Sequence, residues 1–420
     1  MTQLPSASLP DTGREVPLPI EDLIYTRTDD RGVIRAANTV FQRLTGRDWP
    51  NLIGAPHRFI RHPDMPRGFF HLFWKQLRNG DPAVGYIKNR GRDGGHYWVL
   101  ASAVPCQDGF FSIRFRPTSP FFDRIPGLYA RLTQQERQEN LYSEAAGERF
   151  LAALCDLGFD DYTQFMCHAT EQETLARNRA LGRPDDVEVG RIAAVVDLLQ
   201  DALRLQSGLI TRFRDLMLLP VNMRLVAARL EPQGGPISQI SMNYKSASDE
   251  IAARLATFVS GDHNLCRRMA AAARSSLVLL RCAQLQAELL QRYDRATPYT
   301  AGVDRRVELR MMAAAESLCR TRTEQALQAA VQLAVSLSEA SADVRRMILG
   351  LDTIRILGRV ESRRDLAVET SMSATLDRID RVQGEISDSL KRLTDLAATI
   401  HSGLSALRPH SDRNAVSAAR

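Results

Sequence analysis

Apolar residues recur at heptad spacing through the second half of the chain. Ile192, Val195, Leu199, Ala202, Leu209, Phe213 and Leu216 mark one seam, with Gln206 as a polar interruption. The seam runs into Leu230-Glu231-Pro232-Gln233-Gly234-Gly235-Pro236, a turn. A second seam follows at seven-residue steps through Ile237, Tyr244, Ile251, Phe258, Leu265, Ala272 and Leu279. Two such helices around a tight turn predict an antiparallel hairpin over residues 186–298, with its tip near 231–236. Val307, Met311, Ala314, Leu318, Leu327, Val331, Val344, Ile348 and Leu351, then Ile379, Ile386, Leu393, Ile400 and Leu407, predict a second hairpin. It covers residues 304–408, with its tip near 357–364. Packing the hairpins together buries all four seams, so the pattern predicts an elongated all-α antiparallel coiled coil, a four-helix bundle.

The front of the chain has a different period. Leu23-Ile24-Tyr25 and Val33-Ile34-Arg35-Ala36-Ala37 read as strands around the turn Asp29-Asp30-Arg31-Gly32. Asn38 is a helix-capping type and precedes Phe41, Leu44 and Gly46. Residues 68–79 read as a helix, and 84–91, 96–104 and 110–116 as three more strands with Gly-containing turns between them. An α+β domain over residues 20–118 is predicted: a five-stranded antiparallel sheet with helices over one face, and a groove between them able to hold a flat cofactor. Residues 1–19 read as a flexible lead-in, 119–185 as a helical connector broken at Pro and Gly, and 409–420 as a flexible tail.

Composition removes several classes. The net charge is +6, but the basic residues are almost all Arg and are interspersed with acids, which fits a solvated helix surface and not a nucleic-acid footprint. The 6 cysteines show no CxxC spacing and read as reduced thiols, with no metal site implied. No stretch reads as a transmembrane helix or signal peptide, so a cytoplasmic location is expected. The heptad seams leave no room for a nucleotide-binding catalytic domain, so no enzyme is expected.

Two motifs name a chemistry. Residues 61–66 read Arg-His-Pro-Asp-Met-Pro, and residues 88–105 begin Lys-Asn-Arg-Gly-Arg-Asp-Gly-Gly-His-Tyr-Trp-Val. In that order they resemble the N-terminal PAS domain of aerotaxis receptors, which hold FAD and report its redox state. The resemblance implies FAD in the groove, with Asn38, Arg61, His62, Asp64, Trp74 and Asn89 lining or supporting it. Arg61 and His62 would face a phosphate or a flavin carbonyl, Asn38 and Asn89 the isoalloxazine edge, and Trp74 with Phe73 the ring face. The family's Trp two residues before a Gly is replaced here by Ala83, ahead of Gly85. His71 offers a haem-ligand alternative, and a tight structural turn is another reading of residues 61–66.

The first hairpin's turn resembles the cytoplasmic tip of chemoreceptors. Asn222, Ala227, Ala228, Arg229 and Gly234 match that tip in register, with Val226 where the family has the glutamate that helps contact its kinase. Val360, Glu361 and Arg364 echo the same motif, and Arg364 stands 135 residues after Arg229. The resemblance implies a degenerate signalling hairpin, present twice. Together the two resemblances imply a redox or energy-state sensor in chemotaxis or aerotaxis. Its expected partners are a chemotaxis histidine kinase, its coupling protein or related receptors, with association in receptor clusters and homo-oligomerisation as further expectations. The alternative is a ligandless PAS domain on a coiled-coil scaffold that mediates protein–protein interaction.

Overall fold

The computed structural model describes residues 12–91, 93–184, 186–230, 235–295, 304–364 and 366–407. The chain divides into two compact units, residues 1–189 with 274–324, and residues 190–273 with 325–420.

The first unit is built on a five-stranded antiparallel sheet, as the period-two pattern predicts. Its strands are β1 (Ile24–Thr28), β2 (Ile34–Ala37), β3 (Ala83–Arg90), β4 (His96–Cys106) and β5 (Gly109–Phe115), in the order β2-β1-β5-β4-β3. Between β2 and β3 lie the helices α1 (Thr39–Thr45), α2 (Trp49–Leu52) and α3 (Arg67–Arg78). Asn38 starts α1 by accepting hydrogen bonds from the N–H groups of Phe41 and Tyr25, and its amide donates to the Leu23 carbonyl.

After β5 come α4 (Ile125–Gln138), α5 (Ser143–Asp156) and α6 (Tyr162–Ala180). These connector helices pack on the domain. Glu173 of α6 accepts from Tyr86 of β3 and from the N–H groups of Thr118 and Ser119. Glu136 of α4 accepts from the N–H groups of Arg67 and Gly68, at 2.7 and 2.9 Å, and so caps α3, whose own N-cap is Pro66. Residues 12–18 lie beside β4: the Val16 N–H donates to the His96 carbonyl at 2.7 Å, and Leu18 is buried.

The helices that follow are α7 (Val187–Leu230), α8 (Pro236–Val259), α9 (Leu265–Arg295), α10 (Arg305–Ser362) and α11 (Leu366–Ser405). Residues 274–324, from α9 and α10, belong to the sheet's unit. Ser102 of β4 meets Cys282 of α9 at 3.0 Å. Glu308 of α10 is buried against β1, where Tyr25 and Arg27 both donate to it. The sheet therefore has helices on both faces.

In the second unit α7, α8, α10 and α11 form a four-helix bundle from one chain. Ser241 of α8 donates to the Pro220 carbonyl of α7 at 2.6 Å. Arg254 of α8 pairs with Asp343 of α10 at 2.8 Å, Arg359 of α10 with Asp377 of α11 at 2.6 Å, and Arg212 of α7 with Glu385 of α11 at 3.2 Å. A methyl group added at Gly358 of α10 would meet Leu376 of α11, Ile240 of α8 and Met223 of α7 within 4 Å, so all four helices converge there. The C-terminal parts of α7 and α10 and the N-terminal parts of α8 and α11 thus lie at the same end of the bundle. A bifunctional thiol reagent should link Ile240→Cys to Gly358→Cys within single chains, read as a shifted monomer band; links formed only between chains would contradict this packing.

Two seams depart from the sequence pattern. The second seam breaks at Ser260–Asn264, where Gly261 takes a φ of +56° and Asn264 caps α9 through the Arg267 N–H. Beyond the break Cys266, Met269 and Ala273 are buried, while Leu265 and Ala272 are half-buried. At the start of α10 the buried face is Glu308, Met312, Ala315 and Cys319; Val307 and Leu318 are exposed. Among the described residues no helix is long and apolar enough to cross a membrane.

Candidate functional site

Strand alternation gives the sheet two faces. Tyr25, Arg27, Tyr86 and Ser102 point toward the later helices. Thr26 and Thr28, Ile87 and Asn89, Ala101 and Ala103, and Phe110, Ser112 and Arg114 point the other way, onto a cavity of about 560 Å³. Opposite them stand Phe70, Phe73, Trp74 and Leu77 of α3, the β1–β2 turn, and His57, Arg58 and Arg61. Gly32, with φ +75°, keeps that turn close to the Trp74 ring; an added methyl group would lie 3.6 Å from it. The volume lies within the range of small-molecule and cofactor sites, roughly 300–1,000 Å³.

The wall is apolar and aromatic, with polar atoms that the protein leaves unsatisfied. His57 Nε2, Arg61 Nε, Asn89 Nδ2, Ser112 Oγ and Arg114 Nε are buried and have no hydrogen-bond partner among the described residues. Buried polar atoms are almost always bonded, so five converging on one cavity fit a ligand with several acceptors and a flat ring. The electrostatics are cationic. Burial, then the neighbouring Arg58, pulls Arg61 down to about 10. Burial pulls Arg114 to about 10 as well. Burial, with Arg114 and Arg61 nearby, pushes His57 well below its usual value and keeps it neutral. The Arg61 guanidinium also lies over the Phe70 ring, 3.5 Å from its centroid.

Of the six residues that the sequence proposes for a cofactor, Arg61, Trp74 and Asn89 stand on this wall. Asn38, His62 and Asp64 do not. Asn38 spends its amide on capping α1 and on β1. His62 is buried beside His96, with ring centroids 6.0 Å apart. Asp64 bonds Lys88 at 2.9 Å on the outer side of the loop. Its backbone is tied to α4, since Thr133 donates to the Asp64 carbonyl and Arg137 to the Pro63 carbonyl. Residues 61–66 therefore do two jobs, with Arg61 facing the cavity and the remainder clamped by α4. His71 faces Gly147 of α5 and lies off the cavity wall, so the structure gives a haem ligand no place there.

Arg114, His57 and Ser112 escape the sequence reading. Arg114 had a signal: it follows Phe110 and Ser112 at period two, a charge in the inward phase of a strand. His57 sits in a short turn with no periodicity to mark it. Ala83, at the position of the family Trp, is fully buried, and Gly85 abuts the Phe69 ring so closely that an added methyl would lie 2.3 Å from it.

At the tips, Asn222 and Ala228 are exposed and Ala227 is buried. Gly234 and the side chain of Arg229 lie outside the described residues. On the second hairpin Glu361 and Arg364 pair with each other at 3.1 Å.

Residues 34–110 match the family model described as PAS fold. An aerotaxis receptor of Escherichia coli (strain K12) is 35% identical over 136 residues, 31% of this chain and 27% of that protein. A nitrogen fixation regulatory protein of Klebsiella pneumoniae is 33% identical over 78 residues, 19% of this chain and 16% of that protein. The crystal structure of a PAS domain from Colwellia psychrerythraea is similar at 21% identity and a TM-score of 0.21, covering 22% of this chain and 85% of that one. The chain therefore spans about a quarter or less of the length of the curated relatives. The front of the chain is a PAS domain with homology to the aerotaxis receptor, followed by a long helical region.

Proposed function

We propose that this chain is a non-enzymatic PAS-based sensor in chemotaxis signalling that holds FAD in the cavity and passes the flavin's redox state to its helical bundle. One observation carries the ligand assignment: five unsatisfied buried polar atoms meet on a cavity with an aromatic wall. Asn89 and Ser112 supply hydrogen bonds to a ring edge, Arg61 and Arg114 supply positive charge, and Trp74 with Phe70 supplies apolar surface. FAD, when bound, supplies a redox-dependent charge and hydrogen-bonding pattern. The chain's own part is to hold the ring, keep water from it and respond to that change.

The response has a route. Thr26 faces the cavity, while its neighbours Tyr25 and Arg27 hold Glu308 in the first turn of α10. That helix is continuous to Ser362, beside the second tip. A chemotaxis histidine kinase or its coupling protein is the proposed partner at the tips. Protein purified under native conditions should be yellow, with flavin absorbance that denaturation releases into solution. Protein that stays colourless after incubation with FAD would leave the ligandless scaffold as the better reading, and the clamp of α4 on residues 63–68 already gives the motif a structural purpose under that reading.

A further inference from the structure

Four arginines among the described residues are buried: Arg114, Arg177, Arg274 and Arg281. Three of them face carboxylates. Arg177 meets Glu288 at 2.8 Å, Arg281 meets Glu171 at 2.8 Å and Arg274 meets Asp161 at 4.0 Å. Arg114 is the exception. It is 5% exposed, its Nη1 donates to the neutral hydroxyl of Thr26 at 2.9 Å, and its Nε has no partner among the described residues. The acid on the cavity wall, Asp30, is exposed.

A buried charge without a counterion is expensive, and proteins normally pair it. The neighbours of Arg114 do not offset it. Arg61 adds positive charge, and His57 is neutral. Electron-rich atoms entering the cavity relieve the cost, and an edge that bears a full negative charge relieves more of it than a neutral one. The two redox states of a flavin differ in this respect: the reduced ring bears negative charge that the oxidised ring lacks.

We propose that Arg114 is the specificity-determining residue by which the cavity distinguishes reduced from oxidised flavin, binding the reduced ring more tightly because its negative charge meets an otherwise unpaired buried cation. This rests on the FAD reading of the cavity. Arg114 is also placed to report the difference, because its Nη1 bonds Thr26 of β1. Tighter engagement of a ligand by the guanidinium weakens or redirects the bond to Thr26, on the strand whose other face holds Glu308.

The test uses the full chain stripped of any flavin. Wild type, Arg114→Gln and Arg114→Lys are titrated anaerobically with oxidised FAD and with dithionite-reduced FAD, and binding is followed by calorimetry. Wild type should bind reduced FAD more tightly than oxidised FAD. Arg114→Gln should erase roughly ten- to a hundredfold of that preference, the scale of one charge-assisted contact. Arg114→Lys keeps the charge and should keep most of the preference, which preserves the test if the Gln variant fails to fold. Equal weakening of both redox forms in Arg114→Gln would make Arg114 a structural residue and overturn the proposal while leaving the FAD reading intact. So would a wild type that favours the oxidised form. A wild type that binds neither form overturns both.

Discussion

Glu288→Gln should destabilise the first unit by about 3–5 kcal/mol, the cost of stranding a buried cation. Arg177 is buried and meets both carboxylate oxygens of Glu288, at 2.8 and 2.9 Å; Arg183 and Arg292 meet them as well. Arg177 also donates to the Ile20 carbonyl and lies over the Phe115 ring, so one carboxylate anchors the chain entering β1, the end of β5, α6 and α9. Burial alone would raise the Glu288 carboxyl, but hydrogen bonds from Arg177 and Arg183 and the charges of Arg177 and Arg292 hold it down to about 2. A depressed carboxylate contributes stability that is present above its unfolded value, near 4.5, and is lost as pH falls toward 2. That contribution is about 3 kcal/mol. Urea unfolding between pH 3 and pH 7 should therefore give a steeper acid loss for wild type than for Glu288→Gln. Identical midpoints at pH 7 would show that the cluster contributes nothing net.

Ala103→Phe should abolish ligand loading while leaving the fold intact. Ala103 is buried on the cavity face of β4, paired in register with Ala83 of β3 and Ser112 of β5. Its small side chain keeps the floor of the cavity open. A benzyl group there projects into space of about 560 Å³ and fills part of it, so it meets void where a packed core would resist it. The expected result is at least a hundredfold loss of FAD affinity, on the order of 3 kcal/mol or more, with a thermal midpoint near that of wild type. Undiminished flavin absorbance in folded Ala103→Phe protein would move the ligand away from this cavity.

The sheet was legible because its strands alternate cleanly and its turns carry Gly and Asp at the positions that hairpins require. The bundle seams were legible where Leu, Ile and Val repeat every seven residues, as in α11, whose Ile379, Ile386, Leu393 and Ile400 are all fully buried. Legibility failed where a polar residue occupies a buried position. Glu308 sits in the core face of α10 because Tyr25 and Arg27 satisfy it, and those partners lie more than 280 residues earlier. Reading Glu308 as surface shifts the apparent seam by one residue, onto Val307. The site was half legible for the same reason. Arg61 and Asn89 sit in recognisable motifs, but what makes Arg114 unusual is the lack of a carboxylate near it, and a sequence does not display missing partners. Asn38 looked like a ligand group and is occupied with its own helix.

A bundle assembled from two copies of one hairpin is obliged to be symmetric, since every substitution in the gene is written twice, on opposite sides. Here a single chain supplies both hairpins, and the two are free to differ. Val226 and Glu361 show the outcome: they are 135 residues apart, the same offset that relates Arg229 to Arg364, yet one is apolar and the other acidic. The end of this bundle therefore lacks the internal repetition of a dimer, and its two hairpins present different chemistry there, a half-buried valine on one and, on the other, a carboxylate held by Arg364.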